Sequence, residues 1–192
     1  MTETLKVSGF TFIRNAVKFD YPISEAIRSI LPLCDEVVVM LGNSEDDTRS
    51  LLESIDSDKI KIFESTRDDT IRKGGEVLAA ETNKALDQIS PDSNWAFYIQ
   101  GDEVFHEDGI SDVRSAMQQH LNDESVEGLL FNYRHFYGSY DFIGDSRQWY
   151  RKEIRVIRND PSIRSYRDAQ GFRKNGSKLT VKPVNAYIHH YG

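Results

Sequence analysis

One cysteine, Cys34, stands among 192 residues, so no intrachain disulfide can form and a Cys-x-x-Cys metal or redox motif is excluded. A reducing compartment is the natural setting. The chain has no apolar run long enough to span a bilayer, and its first residues, Met1 to Lys6, lack the apolar stretch of a signal peptide. A cytoplasmic protein without a transmembrane segment is therefore expected. No proline-rich, serine-rich or low-complexity stretch divides the sequence and no solenoid-length repeat occurs, which predicts a single domain over residues 1–192. Positive charge is also scarce. A net charge of −7 argues against general nucleic-acid binding, because neutralising phosphates needs a positive surface. A glycine-rich phosphate loop is missing as well, since only Gly9 precedes the first expected helix.

The charge that is present is unevenly placed. From Arg147 onward eleven Lys/Arg accompany three acids (Glu153, Asp160 and Asp168), a balance of +8 that leaves −15 on residues 1–146. An acidic half facing a basic flap suits an anionic small molecule, and a solvated basic face is the ordinary alternative.

Hydrophobic periodicity predicts alternating strands and helices. Lys6 to Ile13 reads as a strand, followed by polar Arg14-Asn15. Ile23, Ala26, Ile27, Ile30 and Leu31 then recur at helical spacing between Pro22 and Pro32. Glu36 to Leu41 is a β-branched strand, the run through Leu51, Leu52 and Ile55 a helix, Lys59 to Phe63 a strand, and Glu76 to Ile89 a helix. With Trp95 to Ile99 as a fourth strand, the order predicts an α/β fold: a mostly parallel central sheet flanked by helices. After a helix over Ile110 to Leu121, strands over Gly128–Tyr137 and Tyr150–Arg158 make the second part β-rich. Residues 160–178 show little periodicity and read as an ordered substrate loop or a mobile connection.

The most informative junction is WAFYIQGDEV, residues 95–104. Its apolar run suits a strand buried on both faces, and it stops at Gln100-Gly101-Asp102-Glu103. Carboxylates at the carboxyl end of such a strand lie where open α/β sheets bind ligands, and their oxygens suit a hard divalent cation carrying phosphate. A solvated turn is the plain alternative.

Together these pieces resemble glycosyltransferase family 2, with its Rossmann-like A-type fold. The opening strand and polar turn look like GFTFIRN here, and Gly42-Asn43-Ser44-Glu45-Asp46 is similar to the family's D-G-S-x-D, with Gly42 in place of the first Asp. Lys73-Gly74-Gly75, leading to Asn83-Lys84-Ala85-Leu86, is similar to its K-G-x…L-N-x-A/G stretch. Gln100-Gly101-Asp102 resembles D-x-D with Gln100 in place of the first acid, and Ile188-His189-His190-Tyr191-Gly192 looks like a late His-Tyr element. The likeness covers residues 6–105 well and 128–192 more loosely, dividing the domain into a nucleotide-binding half (1–105) and an acceptor-side half (106–192).

The resemblance implies transfer of a sugar from a nucleoside diphosphate sugar to an acceptor (glycan, lipid carrier or small molecule), with Mn²⁺ or Mg²⁺ on the diphosphate and inversion at the sugar. It makes Asp102 the metal ligand, with Glu103 as helper and His189 or His190 completing the set. In an extended segment only one of the two histidines points inward. Asp168 is the expected base toward the acceptor, with Asp145 and Glu153 as substitutes and an ion pair to Arg167 or Arg173 as the rival reading. Arg14 and Asn15 are expected at ribose or diphosphate, Ser44 and Asp46 at the nucleoside, Arg67 or Asp68 at the base, and Gly101 against the nucleotide. Capping of the following helix is an equally ordinary task for Ser44 and Asp46. Arg147, Arg151 and Arg155 are read as diphosphate contacts or a charged solvent face. Two other readings compete: a non-catalytic nucleotide or nucleotide-sugar binding module on the same fold, and a nucleotidyltransferase, which the missing glycine-rich loop disfavours.

Overall fold

The computed structural model describes residues 4–66, 75–144, 146 and 149–192. Strand β1 (Val7–Ile13) leads through a polar loop to α1 (Ile23–Ile30), whose buried Ile23, Ala26, Ile27 and Ile30 form the predicted stripe. There follow β2 (Glu36–Gly42), α2 (Thr48–Glu53), β3 (Ile60–Ser65), α3 (Glu76–Leu86) and β4 (Trp95–Tyr98). The second part contributes β5 (Glu103–Phe105), α4 (Ile110–Gln119), β6 (Gly128–His135), β7 (Lys152–Arg158), β8 (Ile163–Tyr166), β9 (Gly171–Lys174), β10 (Ser177–Lys178) and β11 (Val181–His190). No helix among the described residues is long and apolar enough to cross a membrane.

One eight-stranded sheet, in the order β3-β2-β1-β4-β7-β6-β11-β5, draws strands from both halves. Strands β3, β2, β1 and β4 are mutually parallel, as is the pair β6/β11, whereas β7 runs antiparallel to β4 and β6, and β5 antiparallel to β11. Alternation distributes the side chains to two cores. Val37, Val39, Trp95 and Phe97 pack on the side of α1, while Val38, Met40, Ala96 and Tyr98 pack with Ala85 and Leu86 of α3 on the other. Both faces are covered, which is why β2 and β4 read as unbroken apolar runs.

Residues 160–178 depart from the expected loop. They form a three-stranded antiparallel sheet, β10-β9-β8, whose Ile163 and Phe172 join the core over Tyr98 and Phe10. The strands are too short, and too rich in arginine, to show a period in sequence. Asn83 of α3 fastens this sheet like an extra strand: its Oδ1 accepts from Ser165 N at 2.9 Å and its Nδ2 donates to Ser165 O at 3.1 Å. Strand β5 was hidden for a similar reason, being three residues long and paired only to β11.

Candidate functional site

The carboxyl ends of β1, β2 and β4 open on a cleft of about 740 Å³. Arg14, Asn15, Gly101, Asp102 and Asp168 line it, and Gln100 lies among them; Ser44, Asp46, Glu103, His189 and His190 do not. Residues far apart in sequence thus converge. A Cβ at position 101 would come within 2.6 Å of Ile13 Cδ1, so any larger residue there would have to displace the end of that side chain.

Ser44 and Asp46 hold the wall of the cleft together. Asn15, at φ 53°, accepts from Glu45 N at 2.8 Å and donates its own N–H to Ser44 Oγ at 3.0 Å. One Asp46 oxygen accepts from Thr48 N and Oγ1, and the other from Lys18 N at 2.7 Å. These bonds hold its carboxyl below the ordinary range despite the opposing effect of burial. One oxygen therefore secures the turn into α2 at Thr48, and the other ties the loop after β1 to the loop after β2. Arg14 Nε donates to Asn43 O at 2.8 Å, which places its guanidinium along the rim. Arg67, Asp68, Lys73, Gly74, Asp145 and Arg147 lie outside the described residues.

Asp102 sits at the base of the cleft beside His190, with its Oδ2 3.6 Å from His190 Nε2. Burial raises the Asp102 carboxyl pKa, the Glu103 charge adds to the rise, and His190 opposes it. A relay of hydrogen bonds sets the histidine tautomer. His135 Nε2 lies 2.7 Å from the Tyr150 carbonyl, which can only accept, so this nitrogen carries the proton. Burial holds His135 below the ordinary histidine range and favours its neutral form, leaving Nδ1 to accept from His190 Nδ1 at 3.4 Å. In neutral His190 this leaves the Nε2 lone pair facing a carboxylate oxygen. Two electron-pair donors held this close and pointing together suit a shared cation.

His189 points the other way. Its ring packs on His106 and Phe136, with centroids 4.9 and 5.2 Å apart, and burial with the charges of His106 and Arg134 lowers its pKa to about 4. Of the two histidines only His190 reaches Asp102, as strand alternation requires.

Glu103 does not help at the metal position. It is fully buried, and its two oxygens accept from Arg155 at 2.6 and 2.9 Å and from Tyr133 Oη at 2.8 Å. Burial alone would raise its pKa, but Arg155 outweighs that and holds it ionised. Arg155 likewise corrects the solvent-face reading: it is fully buried, with its guanidinium 5.3 and 5.2 Å from the Tyr98 and Tyr133 rings. A bulged register between β6 and β7 accompanies this inward charge, and no local pattern announces it.

Asp168 is exposed in the cleft and makes no ion pair among the described residues, so the rival pairing with Arg167 or Arg173 is not formed. Its loop is fixed from both sides: Gln100 Nε2 donates to Ala169 O at 3.2 Å, and Arg155 Nη1 to Gln170 O at 3.0 Å. Gly75 abuts it at φ 78°, where a Cβ would come within 2.8 Å of Asp168 Cα. Gln100, standing where an acid was the pattern, is thus a tether for the Asp168 loop.

Glu153 sits half-buried on β7 near Gly171. Burial pushes its carboxyl up to about 7, with Glu103 and Asp168 adding and Arg155 and Arg173 opposing. The folded chain therefore favours the protonated form, so this contribution is present below the ordinary pKa of 4.5 and is lost as pH rises through about 7. Glu153→Gln is expected to exceed the parent in stability at pH 8 by about 1–2 kcal/mol after allowance for solvent screening. Thermal melts should show that gap closing by pH 4.5.

Comparison with known proteins decides the architecture. No protein-family model and no curated protein sequence matches the chain. Among solved structures, S. aureus TarS aligns with 98% of this chain and 37% of its own, at 16% identity and TM-score 0.61. TarS 1-349 in complex with UDP-GlcNAc aligns over 98% and 59%, at 17% identity and TM-score 0.61, and the complex with UDP over 96% and 60%, at 18% and 0.57. The fold is the glycosyltransferase A type. The chain spans 37% to 60% of the length of these TarS chains. In this A-type fold the exposed aromatics Phe19 and Tyr21 also line the cleft, a contribution the sequence reading passed over. Two aromatic rings in the polar loop between β1 and α1 were the available signal.

Proposed function

We propose that the chain binds a nucleoside diphosphate sugar in this cleft and transfers the sugar to an acceptor hydroxyl. One observation carries the reading: Asp102 and Asp168, the latter without an ion pair among the described residues, line one cleft at the ends of β1, β2 and β4, and His190 stands 3.6 Å from Asp102. TarS, which shares the fold, has been crystallised with UDP and UDP-GlcNAc, and a UDP-sugar is therefore the donor class to test first.

No group of three His, Cys, Asp or Glu side chains suited to a metal occurs among the described residues. Asp102 and His190 are a converging pair, which fits an ion whose remaining ligands are diphosphate oxygens and water. These two residues would hold Mn²⁺ or Mg²⁺, and the ion would supply positive charge for the departing diphosphate. An imidazole beside a carboxylate inclines the pair toward Mn²⁺.

This chain's own residues supply the rest. Phe19 offers a ring on which a base can lie, and Arg14 a forked donor for the diphosphate. Asp168 accepts the proton of the acceptor hydroxyl as the oxygen attacks the anomeric carbon from the face opposite the leaving diphosphate, which inverts that centre. Gln100 and Arg155 keep its carboxylate in place.

Calorimetric titration with UDP and GDP, with and without Mn²⁺, tests the binding step. Mn²⁺-dependent binding of one diphosphate is expected, and failure of both to bind would overturn the reading. In an assay with a turned-over donor, Asp168→Asn is expected to lower transfer about 10²–10⁴-fold while leaving donor affinity within twofold. A variant that binds and transfers normally removes Asp168 from the mechanism. Binding without any turnover across donors would favour the non-catalytic module, for which the substitution by Gln100 of one acid is the supporting observation.

A further inference from the structure

The small sheet bears a second cavity, of about 580 Å³. Arg164, Tyr166, Arg167, Arg173 and Asn175 line it. Its charge is all of one sign. Arg164 and Arg173 lie directly opposite each other in the antiparallel β8–β9 register, a placement that costs energy for like charges. Asp87 neutralises Arg164 only. Arg173 and Arg167 lie against the Tyr166 ring, with guanidinium carbons 4.2 and 5.6 Å from its centroid, and neither has a carboxylate partner among the described residues. Arg173 gives one bond to the Phe172 carbonyl, so most of the forked donors of the two side chains remain unused. Two guanidinium groups braced on one aromatic ring, beside a compensated third, form a preset anion receptor.

Consecutive residues join this cavity to the cleft. Arg167 lines the cavity and Asp168 lines the cleft, so a molecule seated at the arginines can present a hydroxyl to Asp168. We infer that Arg167 and Arg173 form an oxyanion subsite for a phosphate group carried by the acceptor. This inference rests on the sugar-transfer reading for the word acceptor, whereas the anion site itself does not. A tetrahedral phosphate offers more acceptor oxygens to two forks than a planar carboxylate does, which selects the phosphate class.

The test is an NMR titration of the full chain at constant ionic strength, with separate arms for inorganic phosphate, glycerol 3-phosphate, acetate, and UDP with Mg²⁺. Phosphate and glycerol 3-phosphate are expected to shift Arg167, Arg173 and Tyr166 resonances, with glycerol 3-phosphate also shifting Asp168. Arg167→Gln/Arg173→Gln should weaken both at least fivefold with UDP affinity unchanged, and Arg167→Lys/Arg173→Lys should restore part of the loss. Equal binding of acetate, or phosphate affinity unaltered in the glutamine variant, would overturn the subsite. Binding of inorganic phosphate without glycerol 3-phosphate would overturn the acceptor assignment and leave a site for free phosphate. Should UDP fail to bind while phosphate still shifts the arginines, the donor reading falls and the anion site stands.

Discussion

Arg155→Met is expected to lower folding stability by about 3–5 kcal/mol, the usual cost of leaving one partner of a buried ion pair uncompensated. Glu103 would keep its place on β5 with no water to solvate it, and only the neutral donors Tyr133 Oη and Gln100 N would still bond to it. The variant would shed three further anchors: the guanidinium bond to Gln170 O and the contacts with the Tyr98 and Tyr133 rings. A urea denaturation midpoint measures the loss, and a change below about 1 kcal/mol would contradict the buried-pair description. Exchanging both partners, as Glu103→Leu with Arg155→Met, removes the stranded charge and is expected to recover most of the stability. That double variant would still have a loosened Asp168 loop, so recovery of fold without recovery of transfer would separate the two tasks of Arg155.

Asp102→Asn is expected to reduce Mn²⁺-dependent UDP affinity about 10²-fold or more, because the amide keeps the shape of the side chain while removing its charge. Affinity measured without metal should barely change. That contrast distinguishes a lost metal ligand from a damaged cleft, and metal-independent binding that falls equally would refute the ligand role. His135→Phe probes the same centre from behind. Without the acceptor at His135 Nδ1, the His190 ring is free to turn or change tautomer, and Mn²⁺ affinity is expected to drop about 10-fold, as is usual for partners that orient a metal ligand.

The nucleotide-side half was legible because its signals are local. A helical stripe such as Ile23, Ala26, Ile27 and Ile30, or an unbroken run such as Val37 to Leu41, declares its element within one window of sequence, and parallel order follows from their alternation. Asp102, Asp168 and His190 could be named from pattern and likeness; Asp102 and Asp168 line one cleft, and His190 lies beside Asp102. Glu103 and Arg155 could not be separated from functional charges, since their burial is created by strands 52 residues apart crossing the same core. A lone charged residue carries no mark of its eventual partner. For Ser44 and Asp46 the residue types suited either of two tasks, and only the positions of Lys18 N and Asn15 N tell that they bind the neighbouring loop. The small sheet was illegible because its strands are held by Asn83 and by packing on Phe10 and Tyr98, contacts that span more than 60 residues.

Strand β11 inserts between β6 and β5 and delivers His190 to Asp102. Its consequence is temporal. A chain emerging from the ribosome can pair β1, β2 and β3 early, yet β5 has no neighbour in the sheet until residues 181–190 are out, and the imidazole–carboxylate centre does not exist before then. Assembly of that centre thereby waits on residues 181–190, and fragments that stop short of β11 are expected to fold in part and to lack the Asp102–His190 pair.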